Sequence, residues 1–173
     1  MGVQRLDKSE KKSGSLCGAQ SVFDEKRGII MGCLTPGEDL LEGIKNVCQR
    51  YNVTSGTFSC IGSLSKVSIY QIDYENNKMS YSSPIIWETP VELLSGNGFI
   101  GKDENGELDI HFHGVFIDHR KTLSGGHFLD SGNPVAITVE FAIFVAEGIQ
   151  PVRGLNRELG YRIFSFHGPK ELG

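Results

Sequence analysis

Four of the chain's five histidines fall in one stretch, ELDIHFHGVFIDHRKTLSGGHFLDSG, as His111, His113, His119 and His127. An extended strand places residues two apart on one face, with Cα atoms about 7 Å from each other. His111 and His113 therefore point the same way across Phe112, which faces the other side. Two imidazoles so spaced can converge on one divalent ion, and zinc binds such nitrogens at about 2.0–2.1 Å. A third ligand must come from another part of the chain. His127 is the candidate, because the Gly125-Gly126 pair before it allows close backbone approach or a positive φ that would aim the ring. The expected cofactor is one zinc or other divalent ion per chain: imidazole is a borderline ligand, and no cysteine nearby in sequence favours a soft thiolate site. The competing reading is two partly exposed histidines at a strand end. His119, next to Arg120 and Lys121, reads as a solvated turn residue. His167 has no partner close in sequence and reads as structural.

Glu140 is the other anomaly. In VAITVEFAIFV it is the only charge in a run otherwise apolar apart from Thr138. A carboxylate buried there without a partner is costly. It therefore either faces solvent on a sheet face or turns toward the histidines, where it would orient an imidazole or act as base beside a metal-bound water. Glu140 is thus the candidate catalytic residue if the protein is an enzyme. No nucleophile motif of the G-x-S-x-G kind is present, since GSLS after FSCI has the wrong glycine spacing and reads as a turn.

The elements that must position these side chains are legible in the periodicity. TPGEDLLEGIKNVCQRYNV carries the clearest helix signal, expected over residues 36–51. Thr35 serves as N-cap, Pro36 as first helical residue and Glu38 as the partner that completes a capping box. Leu40, Leu41, Ile44, Val47, Cys48 and Tyr51 then form one apolar stripe. After it the period changes to two. TSGTFSCIGSLSKVSIYQID reads as two strands joined near Gly62–Ser65, ENNK as a turn into MSYSS, and KDENGE as a hairpin joining PVELLSGNGFIG to LDIHFHGVFI. DSGNP turns into VAITVEFAIFV, and YRIFSFHG alternates again. One helix against many hairpin-connected strands is an α+β fold with a mostly antiparallel sheet.

A chain of 173 residues with 39% hydrophobic content fits one globular domain, expected over 21–173. Residues 1–20 are polar, lack a hydrophobic period and are expected to form a mobile tail. No apolar run approaches the roughly 20 residues of a membrane span. The start, MGVQRLDKSEKKSGS, has neither the apolar stretch of a secretory signal nor, with Leu6 where Ser or Thr is wanted, the myristoylation pattern. Cys17, Cys33, Cys48 and Cys60 show no C-x-x-C spacing, and free thiols of a cytoplasmic protein are expected. Residues 28–173 hold eleven basic and seventeen acidic side chains, net −6. That body offers no visible footprint for nucleic acid, whose binding depends on Lys and Arg neutralising phosphates. The sequence singles out no small-molecule ligand.

PGEDLLEGIKNVCQRYNVTSGTFSCIGSLSKVSI, VELLSGNGFI, LDIHFHGVFID and SGGHFLDSGNPVAITVEFAIF, in this order, resemble the PPC (plant and prokaryote conserved) domain over about residues 28–146. The resemblance implies an antiparallel sheet with a packed helix, assembled as a homotrimer. In plants the domain follows AT-hook motifs in DNA-binding nuclear proteins, and stand-alone prokaryotic members carry a DNA-binding label by that analogy. Some of those members have metal sites at the histidines that correspond here to His111, His113 and His127. This chain departs from the plant pattern in having no R-G-R-P hook, so the arginines that enter A·T-rich minor grooves are missing. Two classes of function follow: a trimeric metal-binding module with a regulatory or DNA-binding role, or a metal-dependent enzyme in which three histidines leave an open position that activates water.

Overall fold

The computed structural model describes residues 20–169. The tail expected over 1–20 lies outside them save for Gln20, which begins a strand. The first half of the domain runs β1 (Gln20–Asp24), β2 (Ile29–Leu34), α1 (Leu40–Arg50), β3 (Gly56–Leu64), β4 (Val67–Tyr70), β5 (Ile72–Glu75), β6 (Lys78–Tyr81) and β7 (Ile85–Trp87). The second half runs β8 (Val91–Asp103), β9 (Leu108–Asp118), β10 (Leu123–Phe128), β11 (Val135–Val145), β12 (Gln150–Asn156) and β13 (Tyr161–His167). The main sheet has the order β1-β2-β11-β3-β8-β9-β10-β4-β7, with the β12–β13 hairpin joined to β8. All pairings are antiparallel but one, the short parallel contact of Val152 and Arg153 with Lys102 and Asp103. The expected α+β architecture, a mostly antiparallel sheet with one packed helix, is the one observed.

The helix starts later than the capping signal suggests. Glu38 does bond back to Thr35, with the Thr35 N–H and hydroxyl donating to its Oε2 at 2.6 and 2.8 Å. That ring closes a separate turn around Pro36 and Gly37, the latter at φ +88°. Asp39 is the cap of α1, its Oδ1 accepting from the Leu41 and Glu42 amides. Its Oδ2 accepts from the Gly132 and Asn133 amides at 2.8 Å each. One carboxylate thus satisfies orphan donors of the helix and of the loop entering β11.

The stripe itself is buried as its spacing requires. Leu40, Leu41, Ile44 and Cys48 are fully buried and Val47 nearly so, in one core with Val139, Phe141 and Ile143 of β11, Phe58 of β3, and Phe112 and Phe116 of β9. Gly43 sits against Leu34, whose side chain a Cβ would meet at 2.8 Å. The opposite sheet face is covered only in part among the described residues, by the β12–β13 hairpin, whose Phe166 meets Phe99 edge to face at 5.6 Å. Val22, Met31, Ile61, Phe99, Val115 and Phe144 stand there at 43–75% exposure.

Among the described residues no helix is long and apolar enough to cross a membrane. Cys33, Cys48 and Cys60 are free thiols. Burial pushes the Cys48 and Cys60 thiols up to about 12, which keeps them protonated and inert at neutral pH.

Candidate metal centre

The histidines meet because β10 is a strand. His127 pairs directly with His113 across the β9–β10 ladder, and Gly126 and Gly125 pair with Gly114 and Val115. Directly opposed residues have Cβ atoms only about 4.5–5.5 Å apart, so one face carries His111 and His113 along β9 and His127 beside them. The two glycines act by close approach and not by positive φ. A Cβ on Gly126 would meet the Tyr70 carbonyl oxygen at 2.5 Å, and one on Gly125 would run into the Gly114 carbonyl. Of the two expected roles of the glycines, close backbone approach is the one observed, and strand register sets the position of His127.

His111 Nε2 lies 3.0 Å from His113 Nε2, which lies 3.2 Å from His127 Nδ1. All three donor atoms fall within 4.8 Å of one another. Two imidazole nitrogens at about 2.05 Å from one tetrahedral ion stand roughly 3.3 Å apart, close to the observed spacing. His113 Nε2 has a single in-plane position, either a lone pair or a proton. It cannot make a good hydrogen bond to both neighbours at once, whereas a cation between the rings would engage all three lone pairs. Among the described residues the cluster contains three His, Cys, Asp or Glu donors and not four, the ligand count of a site with an open position.

Electrostatics keep the rings neutral and therefore able to ligate. Burial, then the charges of Arg153 and His113, lower His111 to about 4, although Asp109 acts the other way. Burial and the neighbouring His111 and His113 hold His127 at about 4 as well. His113, though open to solvent on the sheet face, is lowered by partial desolvation among its neighbours and by Arg153. A folded-state pKa below the unfolded value of about 6.5 means that the unfolded chain takes up more protons between the two. Stability from these rings is thus complete above pH 6.5 and is lost as pH falls toward 4. The melting temperature of metal-free protein should decline across that window, and His127→Gln should flatten the decline. An unchanged profile in the variant would show that the rings are not the titrating groups.

The surroundings supply residues that sequence spacing did not flag. Arg153 of β12 donates to Asp109 Oδ1 at 3.1 Å and to the Ile110 carbonyl at 3.2 Å. Arg162 of β13 donates to Asp109 Oδ2 at 3.5 Å and to the Arg153 carbonyl at 3.2 Å. Tyr81 and Tyr70 stack toward the His127 ring, with centroids 5.6 and 6.4 Å away. These partners lie 26 to 57 positions from the histidines, and no local signal marks them.

Glu140 does not join the cluster. It shares the outer sheet face but stands on β11, separated from β9 by β3 and β8. Three strand spacings of about 4.8 Å place it roughly 14 Å away. It is exposed, next to the Cys33 thiol at 4.0 Å. Within one chain Glu140 therefore faces solvent and does not reach the imidazoles. His119 is exposed in the turn that Asp118 organises by accepting from the Arg120 and Thr122 amides. His167 has a partner after all, with Nε2 3.0 Å from the Ser165 hydroxyl.

A family model, the Plants and Prokaryotes Conserved (PCC) domain, matches residues 23–147. Solved structures share the fold. A "putative dna binding protein" from Bacteroides thetaiotaomicron superposes with a TM-score of 0.73 at 16% identity, over 86% of this chain and 97% of that one. A metal-containing protein from Archaeoglobus fulgidus gives 0.67 at 19% identity, over 79% and 92%. A plant- and prokaryote-conserved protein from Pyrococcus horikoshii gives 0.67 at 20% identity, over 85% and 94%. Comparison with curated proteins finds no match.

Proposed function

Since the chain belongs to the Plants and Prokaryotes Conserved domain family, we propose that it is a metal-binding module of that family, holding one zinc or other divalent ion on His111, His113 and His127. The observation that carries this reading is the convergence of three neutral ring nitrogens within 4.8 Å on one strand pair. The metal-containing description of the Archaeoglobus fulgidus protein agrees with it. A bound ion would supply a Lewis-acid position open to an exogenous ligand. The chain's own part is to hold the rings neutral, fix their orientation by strand register and keep Arg153 and Arg162 beside them. A binding or regulatory role is favoured over water activation, because the residue suited to act as base, Glu140, lies three strands away. Elemental analysis of untagged protein dialysed against trace zinc should give one ion per chain. Metal-free protein would overturn the reading.

The assembly proposed is a homotrimer in a reducing, cytoplasmic setting. Its support is the apolar outer face, where Met31, Ile61, Phe99 and Phe144 are half exposed. Large exposed apolar side chains gathered on one sheet face are a usual mark of a protein–protein contact. Light scattering at micromolar concentration should give a mass three times that of the chain, and a monomer would refute the assembly.

DNA contact, raised by the description of the Bacteroides protein, has weak physical support here. Residues 28–173 carry net −6, and phosphate neutralisation dominates affinity for duplexes. Duplex DNA should bind weakly and without sequence preference. A sub-micromolar, salt-sensitive affinity that survives deletion of residues 1–20 would reveal a basic patch strong enough to reverse this expectation.

A further inference from the structure

His111 of the histidine cluster also lines a cleft that nothing in the metal reading uses. A space of about 540 Å³ opens between the β5–β6 and β12–β13 hairpins, lined by Met79, Tyr81, His111, Tyr161, Arg162 and Ile163. Its walls are fixed to each other, since the Tyr161 hydroxyl donates to the Met79 carbonyl at 2.9 Å. The Tyr81 and Tyr161 rings meet edge to face at 5.5 Å. Arg162 also lines a second cleft of about 340 Å³, which reaches His127 on the other side of the cluster. Arg153 and Arg162 share the carboxylate of Asp109, and Arg162 also lies in the field of Asp103. The bonds Arg162 makes among the described residues use Nη2, and its side chain is 49% exposed. Lys78 and Glu158, of opposite sign, also line the larger cleft.

We propose that this cleft binds an aryl carboxylate, with the flat apolar body between Tyr81, Met79 and Ile163 and the carboxylate on Arg162 at the edge of the histidine cluster. An apolar-walled cavity with a few convergent polar groups is the usual form of a small-molecule site. A guanidinium recognises a carboxylate through paired, charge-assisted hydrogen bonds. The hairpin that brings Arg153, Tyr161, Arg162 and Ile163 spans residues 150–167, beyond the 23–147 matched by the family model. The proposal rests on the metal reading only for a second contact of the carboxylate, at the open position of the ion.

The test is titration calorimetry on zinc-dialysed protein with benzoate, cinnamate and indole-3-acetate, with cinnamamide and inorganic phosphate as controls and zinc content measured on every sample. At least one aryl carboxylate should bind, and cinnamamide and phosphate should bind at least about tenfold more weakly than it does, the loss expected when a charge-assisted pair is not formed. Arg162→Gln should lose a similar factor. Ile163→Trp, which fills the cleft from an exposed position, should abolish binding while zinc content stays at the wild-type value. Zinc-loaded protein that binds none of the carboxylates overturns this proposal and leaves the metal reading intact. Carboxylate binding that depends on Arg162 and Ile163 in zinc-free protein upholds it and removes the metal contact. Phosphate binding as tightly as the best carboxylate, or indifference to both substitutions, overturns it.

Discussion

His113→Ala should strip the protein of most of its metal while leaving the fold in place. The Nε2 of His113 is the atom shared by both short contacts, 3.0 Å to His111 and 3.2 Å to His127. Its removal leaves two imidazoles on different strands, one nitrogen short of the three-ligand set. Loss of an outer-shell partner already costs about 10–100-fold in affinity, and loss of a direct ligand should exceed that. The side chain is exposed on the sheet face, so the substitution opens no cavity beneath it. The melting temperature of the metal-free variant at pH 7 should therefore match that of metal-free wild type. His119→Ala, in the exposed turn after β9, should change neither property. Elemental analysis of the three proteins after dialysis against trace zinc decides the matter. Equal metal in all of them would reduce the cluster to a polar strand pair.

Ile44→Asp should unfold the domain or bring it close to unfolding. Ile44 lies in the middle of the α1 stripe, is fully buried, and shares its core with Val139 and Ile143 of β11. A carboxylate there would lose hydration without gaining a partner, at a cost of several kcal/mol. Total stability for such a domain is about 5–15 kcal/mol. Ile44→Val, which keeps the burial and removes one methyl group, should cost only about 0.5–1.5 kcal/mol. Urea denaturation of the two variants separates the cases. A midpoint for Ile44→Asp equal to that of wild type would mean that the helix does not pack as described.

Local chemistry alone determined the parts of this protein that depend on neighbours in the chain. The apolar spacing from Leu40 to Cys48 names the buried face of α1, because a helix returns to the same side every 3.6 residues. The alternation in LDIHFHGVFI puts His111 and His113 on one face and Phe112 on the other, because a strand has period two. The Asn76-Asn77 turn, at φ 52° and 58°, needs no more than the tolerance of asparagine for positive φ. The capping reading of Thr35 failed for a tertiary reason: the Asp39 carboxylate caps the helix while also accepting from the loop amides of Gly132 and Asn133, which lie far off in sequence.

The remaining features of the site depended on strand order, which periodicity does not encode. LSGGHF has little strand propensity of its own and becomes β10 because β9 and β4 offer backbone partners on both sides. Only that pairing brings His127 to His113. Alternation places Glu140 on the same sheet face as the histidines but does not count the strands between them, and β3 and β8 intervene. Arg153 and Arg162 reach Asp109 through a hairpin that folds back onto β8 by a parallel pairing at Lys102 and Asp103. A contact of that kind joins residues about 50 positions apart, and it gives partners to both a backbone edge and a half-buried carboxylate.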